Sequence, residues 1–264
     1  MWTTGVRVDV ETGGIAVAGR LLEVTAVVTA ETDVQVLSLA LGYVGRWWRR
    51  PLVPTPGMPP WWGKDVWGLV TPVDRLGPVR LRAGEARRWS AVLGPASYPT
   101  LPPAGTRLLG FRHDVEVAVC TDASLRMAEK VRPVEVLAPS GLYPGVAGHV
   151  LTSDPRAPVR VVAAEAAPGG AFVLRTVPGA TVELVRTERR GRTQGPIGRK
   201  RRMYGRVMAG PDGTAVLPVP IGAAPSIRTA IGEIRWSARV GIDRARTEVI
   251  LVVFQHLHPP SASC

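Results

Sequence analysis

Apolar and polar residues alternate along much of the chain. Val115, Val117 and Val119 are separated by Glu116 and Ala118, and the apolar positions of Val34–Leu41 nearly alternate as well. A period of two is the signature of a strand with one face buried. On this pattern strand-like runs fall at 5–10, 15–29, 34–44, 79–81, 89–93, 108–121 and 131–137. They resume at 159–164, 172–177, 181–186, 203–208, 214–219, 233–242 and 247–254. Residues 122–130 are the one segment with a weak helical spacing. The 29 glycines and 25 prolines are dispersed between the runs, as turn punctuation for many short strands and not as a low-complexity tract. Pro168-Gly169-Gly170, Pro178-Gly179 and Gly210-Pro211-Asp212-Gly213 are turn signals, the last at hairpin spacing.

A chain of 264 residues can bury one large core or two ordinary ones. From Ala138 to Gly148 the composition becomes rich in Pro and Gly, which reads as a linker. The expected architecture is all-β, with two tandem immunoglobulin-like sandwiches at 1–139 and 148–258 and a tail at 259–264. The halves share an order of events. Ala91-Val92-Leu93 leads through Pro99-Thr100-Leu101 to a long strand ending at Thr121; Ala215-Val216-Leu217 leads through Pro225-Ser226-Ile227 to a long strand at 231–243. Duplication explains that succession.

These residues resemble a known family. A glycine, a strand and a polar turn over Gly19–Asp33 are followed by the strand Val34–Leu41. Gly84-Glu85 then precedes a strand ending in Leu93, a Ser-Tyr-Pro-Thr loop and a long strand. That order is similar to the arrestin N-terminal domain, and Pro225-Ser226-Ile227 followed by Ile234–Val240 is similar to the corresponding stretch of the C-terminal domain. The order also resembles bacterial arrestin-like proteins of the sporulation-control type. The resemblance implies two arrestin-like sandwiches and a scaffold or adaptor role without catalysis. The phosphate sensors and charge cluster of animal arrestins have no position-by-position match here, so no functional residue follows from it.

The formal charge of +12 and sequence pI near 11.0 imply attraction to anionic partners: an acidic protein surface, an anionic membrane surface or nucleic acid. Only Lys64, Lys130 and Lys200 are lysines among the 33 basic residues, an arginine bias that weakens arguments from any single arginine. Two cysteines, Cys120 and Cys264, form no disulfide framework or metal spacing, and the N-terminal residues lack a secretory pattern. The expected location is the cytoplasm. No run approaches 18 apolar residues, so no transmembrane segment is expected.

Nucleophile-elbow, zincin, paired-cysteine and dinucleotide motifs are absent from the sequence. Gly195-Pro196-Ile197-Gly198-Arg199-Lys200 lacks the ending of a phosphate loop. His256 and His258 share a strand face without an evident third ligand, and read as tail residues. Asp114 and Glu116 lie two apart on a strand and are expected to face solvent opposite the valines. The expectation is therefore no catalytic residue, no metal and no cofactor.

Two segments stand out as binding candidates. Residues 186–202 hold eight basic side chains against the single acid Glu188. Lying between strand-like runs, they read as a hairpin loop whose Arg189, Arg190, Arg192, Arg199, Lys200, Arg201 and Arg202 would grip phosphates or carboxylates. A solvated loop in an arginine-rich chain has the same appearance. The second segment, 46–67, holds five of the eight tryptophans around five prolines. Adjacent indoles on a strand point to opposite faces, so Trp47 and Trp48 cannot share one core, nor can Trp61 and Trp62. The segment reads as a surface excursion in which Trp47, Trp48, Arg49, Arg50, Trp61, Trp62 and Trp67 meet a partner, beside Lys64; a loop folded on its own aromatics is the alternative. The function expected is a non-enzymatic adaptor for an unidentified protein partner. An anionic-polymer, nucleic-acid or membrane-surface binder acting through 186–202 is the alternative.

Overall fold

The structure, a computed structural model, describes residues 5–49, 61–73, 77–101, 108–190 and 199–255, and these are nearly all strand and turn. They fall into two compact units. The first comprises the described residues within Met1–Trp47, Trp62–Thr100 and Phe111–Val136; the second comprises those within Trp48–Trp61, Leu101–Gly110 and Leu137–Cys264. No helix among the described residues is long and apolar enough to cross a membrane.

In the first unit, β1 (Val6–Gly13), β3 (Leu22–Ala30) and β7 (Ala86–Leu93) form an antiparallel sheet in the order β1-β3-β7. A second sheet has the order β5-β4-β8-β9, from β4 (Val34–Arg49), β5 (Trp61–Val70), β8 (Leu109–Thr121) and β9 (Ser124–Val134), with β6 (Val79–Leu81) also paired to β4. Short strands β2 (Ala16–Val17) and β10 (Val136–Leu137) pair with each other. The alternation does what it predicts. Val6, Val8 and Val10 are buried while Arg7, Asp9 and Glu11 are exposed, and Val115, Val117 and Val119 are buried. Each such side chain withdrawn from water contributes about 1.5–3 kcal/mol.

Residues 122–130 are not helical. They turn into β9, which pairs with β8 from His113↔Val134 through Val119↔Ala128. The ladder satisfies the backbone along the sheet edge, and this tertiary pairing overrides a weak local spacing.

The second unit repeats the plan. Strands β12 (Arg160–Ala163), β14 (Ala171–Arg175) and β17 (Thr214–Pro218) form a sheet in the order β12-β14-β17. The other sheet has the order β11-β20-β19-β15-β16, from β11 (Val150–Thr152), β15 (Thr181–Arg190), β16 (Arg199–Met208), β19 (Gly232–Ile242) and β20 (Ala245–Val253). Strand β13 (Glu165–Ala166) pairs with β20 and β18 (Ile227–Arg228) with β19. Phe172, Leu174 and Leu217 of the small sheet pack with Val182, Leu184, Trp236, Val240 and Leu251 of the large one in a single core. The Gly210–Gly213 turn is not a hairpin. Its strands β16 and β17 belong to different sheets, and Gly213, at φ 76°, turns the chain between them.

Strand by strand, β16-β15-β19-β20 matches β5-β4-β8-β9, and β12-β14-β17 matches β1-β3-β7. The shared Ala-Val-Leu lies on β7 and β17, each the last strand of its three-stranded sheet. The two segments singled out by composition also correspond, since β4 leads to β5 as β15 leads to β16.

Candidate functional site

The basic run is largely strand. Arg186 pairs with Arg202, Thr187 with Arg201, Glu188 with Lys200 and Arg189 with Arg199, while the other side of β15 is held by β19 from Gly241 to Gly232. Strand β16 ends the sheet among the described residues. Arg189, Arg199, Arg201, Arg202 and Arg206 are exposed, and Lys200 is half-buried. Arg192 and the side chain of Arg190 lie outside the described residues.

Across the outer face of this sheet runs a row of alternating charge, one residue per strand: Arg206, Glu183, Arg239 and Glu248. Arg206 Nε donates to Glu183 Oε1 at 3.1 Å and Arg239 Nε to Glu248 Oε2 at 3.2 Å, while Ser237 Oγ donates to the other Glu248 oxygen at 2.8 Å. These four side chains floor an open groove of about 530 Å³, with Arg246 and Asp243 also lining it. Toward Arg199, the same face carries Arg189, Arg201 and Arg235 against Glu233 alone, so the charge becomes positive along the strands.

The inner face of β15 holds a feature that composition concealed. Arg186 and Glu188 are 6% and 3% exposed and joined at 2.6 Å; Glu188 Oε2 also accepts the Leu108 N–H at 3.0 Å. The Arg186 guanidinium lies 5.1 Å from the Tyr204 ring and 5.9 Å from the Trp236 ring. The available signal was the period of two: Val182 and Leu184 face the core, and two further steps bring Arg186 and Glu188 to the same face.

In the tryptophan segment both arms are paired strand, not an excursion. Each described indole covers a glycine on a neighbouring strand: Trp47 lies over Gly63 of β5, Trp48 over Gly110 of β8, and Trp67 over Gly45 of β4. The opposite-face rule holds, and absent side chains on the flanking strands make room for the rings. Trp48 is buried; Trp47 and Trp67 are half-buried. Trp67 stacks on His113 at 4.9 Å and meets Tyr43 and Tyr98 edge-on at 5.2 and 5.0 Å. Arg50 and the side chains of Arg49, Trp61 and Trp62 lie outside the described residues. A methyl at Gly45 would overlap the Trp67 ring, whereas one at Gly205 would meet open space. Gly45→Ala is expected to cost about 1–3 kcal/mol in urea unfolding through overpacking, and Gly205→Ala to be neutral or stabilising.

Asp114 does not face solvent. It is fully buried, accepting from Arg46 Nε at 3.0 Å and Arg112 Nε at 2.9 Å, while Glu116 is paired with Arg46 and with Lys64 at 3.0 Å. Neutralisation by neighbouring guanidiniums permits that burial. His113 is also buried, and burial pushes its pKa down to about 4, partly offset by the Pro99 backbone. Tyr98 donates to Asp65 at 2.6 Å, and burial followed by this hydrogen bond raises its pKa. His149 is exposed, and His256 and His258 lie outside the described residues. Among the described residues no three His, Cys, Asp or Glu groups are placed to hold a metal.

No protein-family model and no curated protein sequence matches the chain. Among solved structures it is similar to squid arrestin at 9% identity, over 97% of this chain and 100% of that one, with a TM-score of 0.50. It is also similar to the sporulation control protein Spo0M of Bacillus subtilis at 10% identity, over 66% of this chain and 69% of that one, with a TM-score of 0.39. By its strand order and its likeness to squid arrestin along nearly its whole length, the chain has an arrestin-like fold.

Proposed function

We propose that the protein is a non-enzymatic, cytoplasmic adaptor that takes up an extended acidic segment of a partner protein along the edge of β16. The observation carrying this reading is the position of the basic run. Arg199, Arg201, Arg202 and Arg206 project from the last described strand of a sheet, where an incoming strand gains main-chain hydrogen bonds and its acidic side chains gain guanidinium partners. Positive charge on an edge strand also discourages self-association, so the same feature favours an acidic partner over a second copy of this chain. The arrestin-like fold supports a scaffold role in general terms. We place the domain boundary in the Pro/Gly-rich stretch at 140–147, and any partner role of the tryptophan segment in its residues outside the packed indoles.

The test is fluorescence anisotropy with a labelled peptide of alternating Glu and Val. Micromolar binding is expected, lost when alternate peptide amides are N-methylated and weakened only modestly between 50 and 200 mM salt. A polyanion binder would instead prefer a mixed-sequence oligonucleotide and lose about a thousandfold or more in affinity over that range. That result would replace the adaptor reading with the polymer-binding one favoured by the +12 charge.

A further inference from the structure

The two faces of β16 offer different things to a strand laid against its edge. Cross-strand partners share a face, and Val182 and Leu184 point into the core, so their partners Val207 and Gly205 point inward too. The outer face carries Arg199, Arg201, Met203, Arg206 and Met208, all exposed. Between the two halves of β16 the register shifts: Leu184 lies opposite Gly205 and Val185 opposite Met203, which leaves Tyr204 as an extra residue. The Tyr204 ring packs on the buried Trp236 at 4.8 Å, so Tyr204 and Gly205 both belong to the inner side.

Gly205 leaves that inner side unfinished. Tyr204 and Val207 pack against the core yet stay only half-buried, and a Cβ on Gly205 would meet no described atom within 4 Å. Gly205 is not among the residues at positive φ, so the register shift does not itself require a glycine. In the first unit such space is filled from the next strand. Gly63 on β5, the strand corresponding to β16, receives the Trp47 ring from β4, while Gly45 and Gly110 receive Trp67 and Trp48. A glycine inside a strand weakens it and commonly marks the close approach of another chain. Beyond β16 the sheet has no further described strand, so the chain that approaches Gly205 is an added one.

We infer that the open space over Gly205 takes one large aliphatic side chain of the incoming acidic segment and fixes that segment's register on β16. The inference rests on strand addition at this edge. Side chains of an added strand alternate between the two faces. Acidic residues of the segment therefore meet Arg199, Arg201 and Arg206 on the outer face, while the aliphatic residue enters beside Tyr204 and Val207 on the inner one. Covering those two half-buried side chains extends the core by one residue, which the segment supplies.

The test is fluorescence anisotropy of the full chain with two labelled peptides, one of alternating Glu and Thr and one identical except that its central Thr is replaced by Leu. The Leu peptide should bind the wild-type protein at least about tenfold more tightly. Gly205→Val fills the space from the protein's side, and should bind the two peptides within about twofold of each other. Its thermal midpoint should stay at or above wild type, since the new side chain enters open space on a strand. Gly205→Ala should reduce the preference part of the way. A wild-type preference below about twofold, an undiminished preference in Gly205→Val, or a clear fall in that variant's midpoint would overturn the inference. If peptide binding is lost on N-methylation of alternate amides but shows no preference for Leu, strand addition stands and the Gly205 inference alone fails. Binding that survives N-methylation, or no binding of either peptide, would defeat strand addition at β16 and the inference with it.

Discussion

Replacing Glu188 with alanine should destabilise the second unit by about 3–5 kcal/mol, because it leaves the Arg186 guanidinium buried without its carboxylate. The Leu108 N–H loses its acceptor in the same step. Glu188→Gln retains a hydrogen-bonding group but not the charge, and should fall between alanine and wild type. The double replacement Arg186→Met with Glu188→Leu should recover most of the loss or exceed wild type, since apolar residues of similar volume remove both desolvation penalties. Urea unfolding of the four proteins measures these differences. A loss below about 1 kcal/mol for Glu188→Ala would mean that Arg186 reaches water, against the burial described here.

Acid should weaken the first unit through His113. With its pKa held near 4 in the fold and about 6.5 in the unfolded chain, the unfolded state binds the proton first as pH falls. The stability is complete above pH 6.5 and declines through pH 4, for a total of about 3 kcal/mol. The packed neighbours Tyr43, Trp67 and Tyr98 offer the imidazolium no counter-charge, and Asp65 is engaged by Tyr98. His113→Phe keeps a ring in the aromatic box and removes the titration. Its stability should therefore fall less than wild type between pH 7 and pH 4, when both are followed by denaturant unfolding. Parallel pH profiles would show that His113 takes up its proton in the folded protein at an ordinary pKa.

The sequence was most legible where one face meets the core and the other meets water. The valines of β1 and β8 announce their strands because burial follows their period. The first part of β9, up to Lys130, was illegible for the opposite reason: it lies at a sheet edge, and its ladder to β8, not its side chains, holds it extended, whereas the strand-like run from Val131 onward falls on the end of β9. The ends of β15 and β16 look like loop in the sequence because arginines suggest solvent. Pairing on both sides of β15 carries the strand on to Arg190, and Arg186 and Glu188 enter the interior as a neutralised pair. Asp114 escaped in the same way, since only the fold brings Arg46 to the residue between His113 and Val115. The tryptophans were legible as a geometric problem, but its solution in Gly45, Gly63 and Gly110 depends on which strands are neighbours.

The duplicated strand order also explains why two dissimilar segments attracted notice. Strands β5 and β16 occupy corresponding positions at the ends of their sheets. In the first unit the strand at that position carries Gly63 under the Trp47 indole and Trp67 over Gly45 of β4; in the second it carries exposed arginines. The same topology thus presents two different edges, and only that of β16 combines main-chain pairing capacity with a dense positive charge.

Hydrogen–deuterium exchange of the full chain with and without the Glu/Val peptide tests the adaptor reading most directly. Strand addition predicts that alternate amides within Arg199–Met208, those directed away from β15, slow by at least about tenfold when the peptide binds. Peptide binding with unchanged exchange throughout β16, and protection confined to other strands, would contradict it.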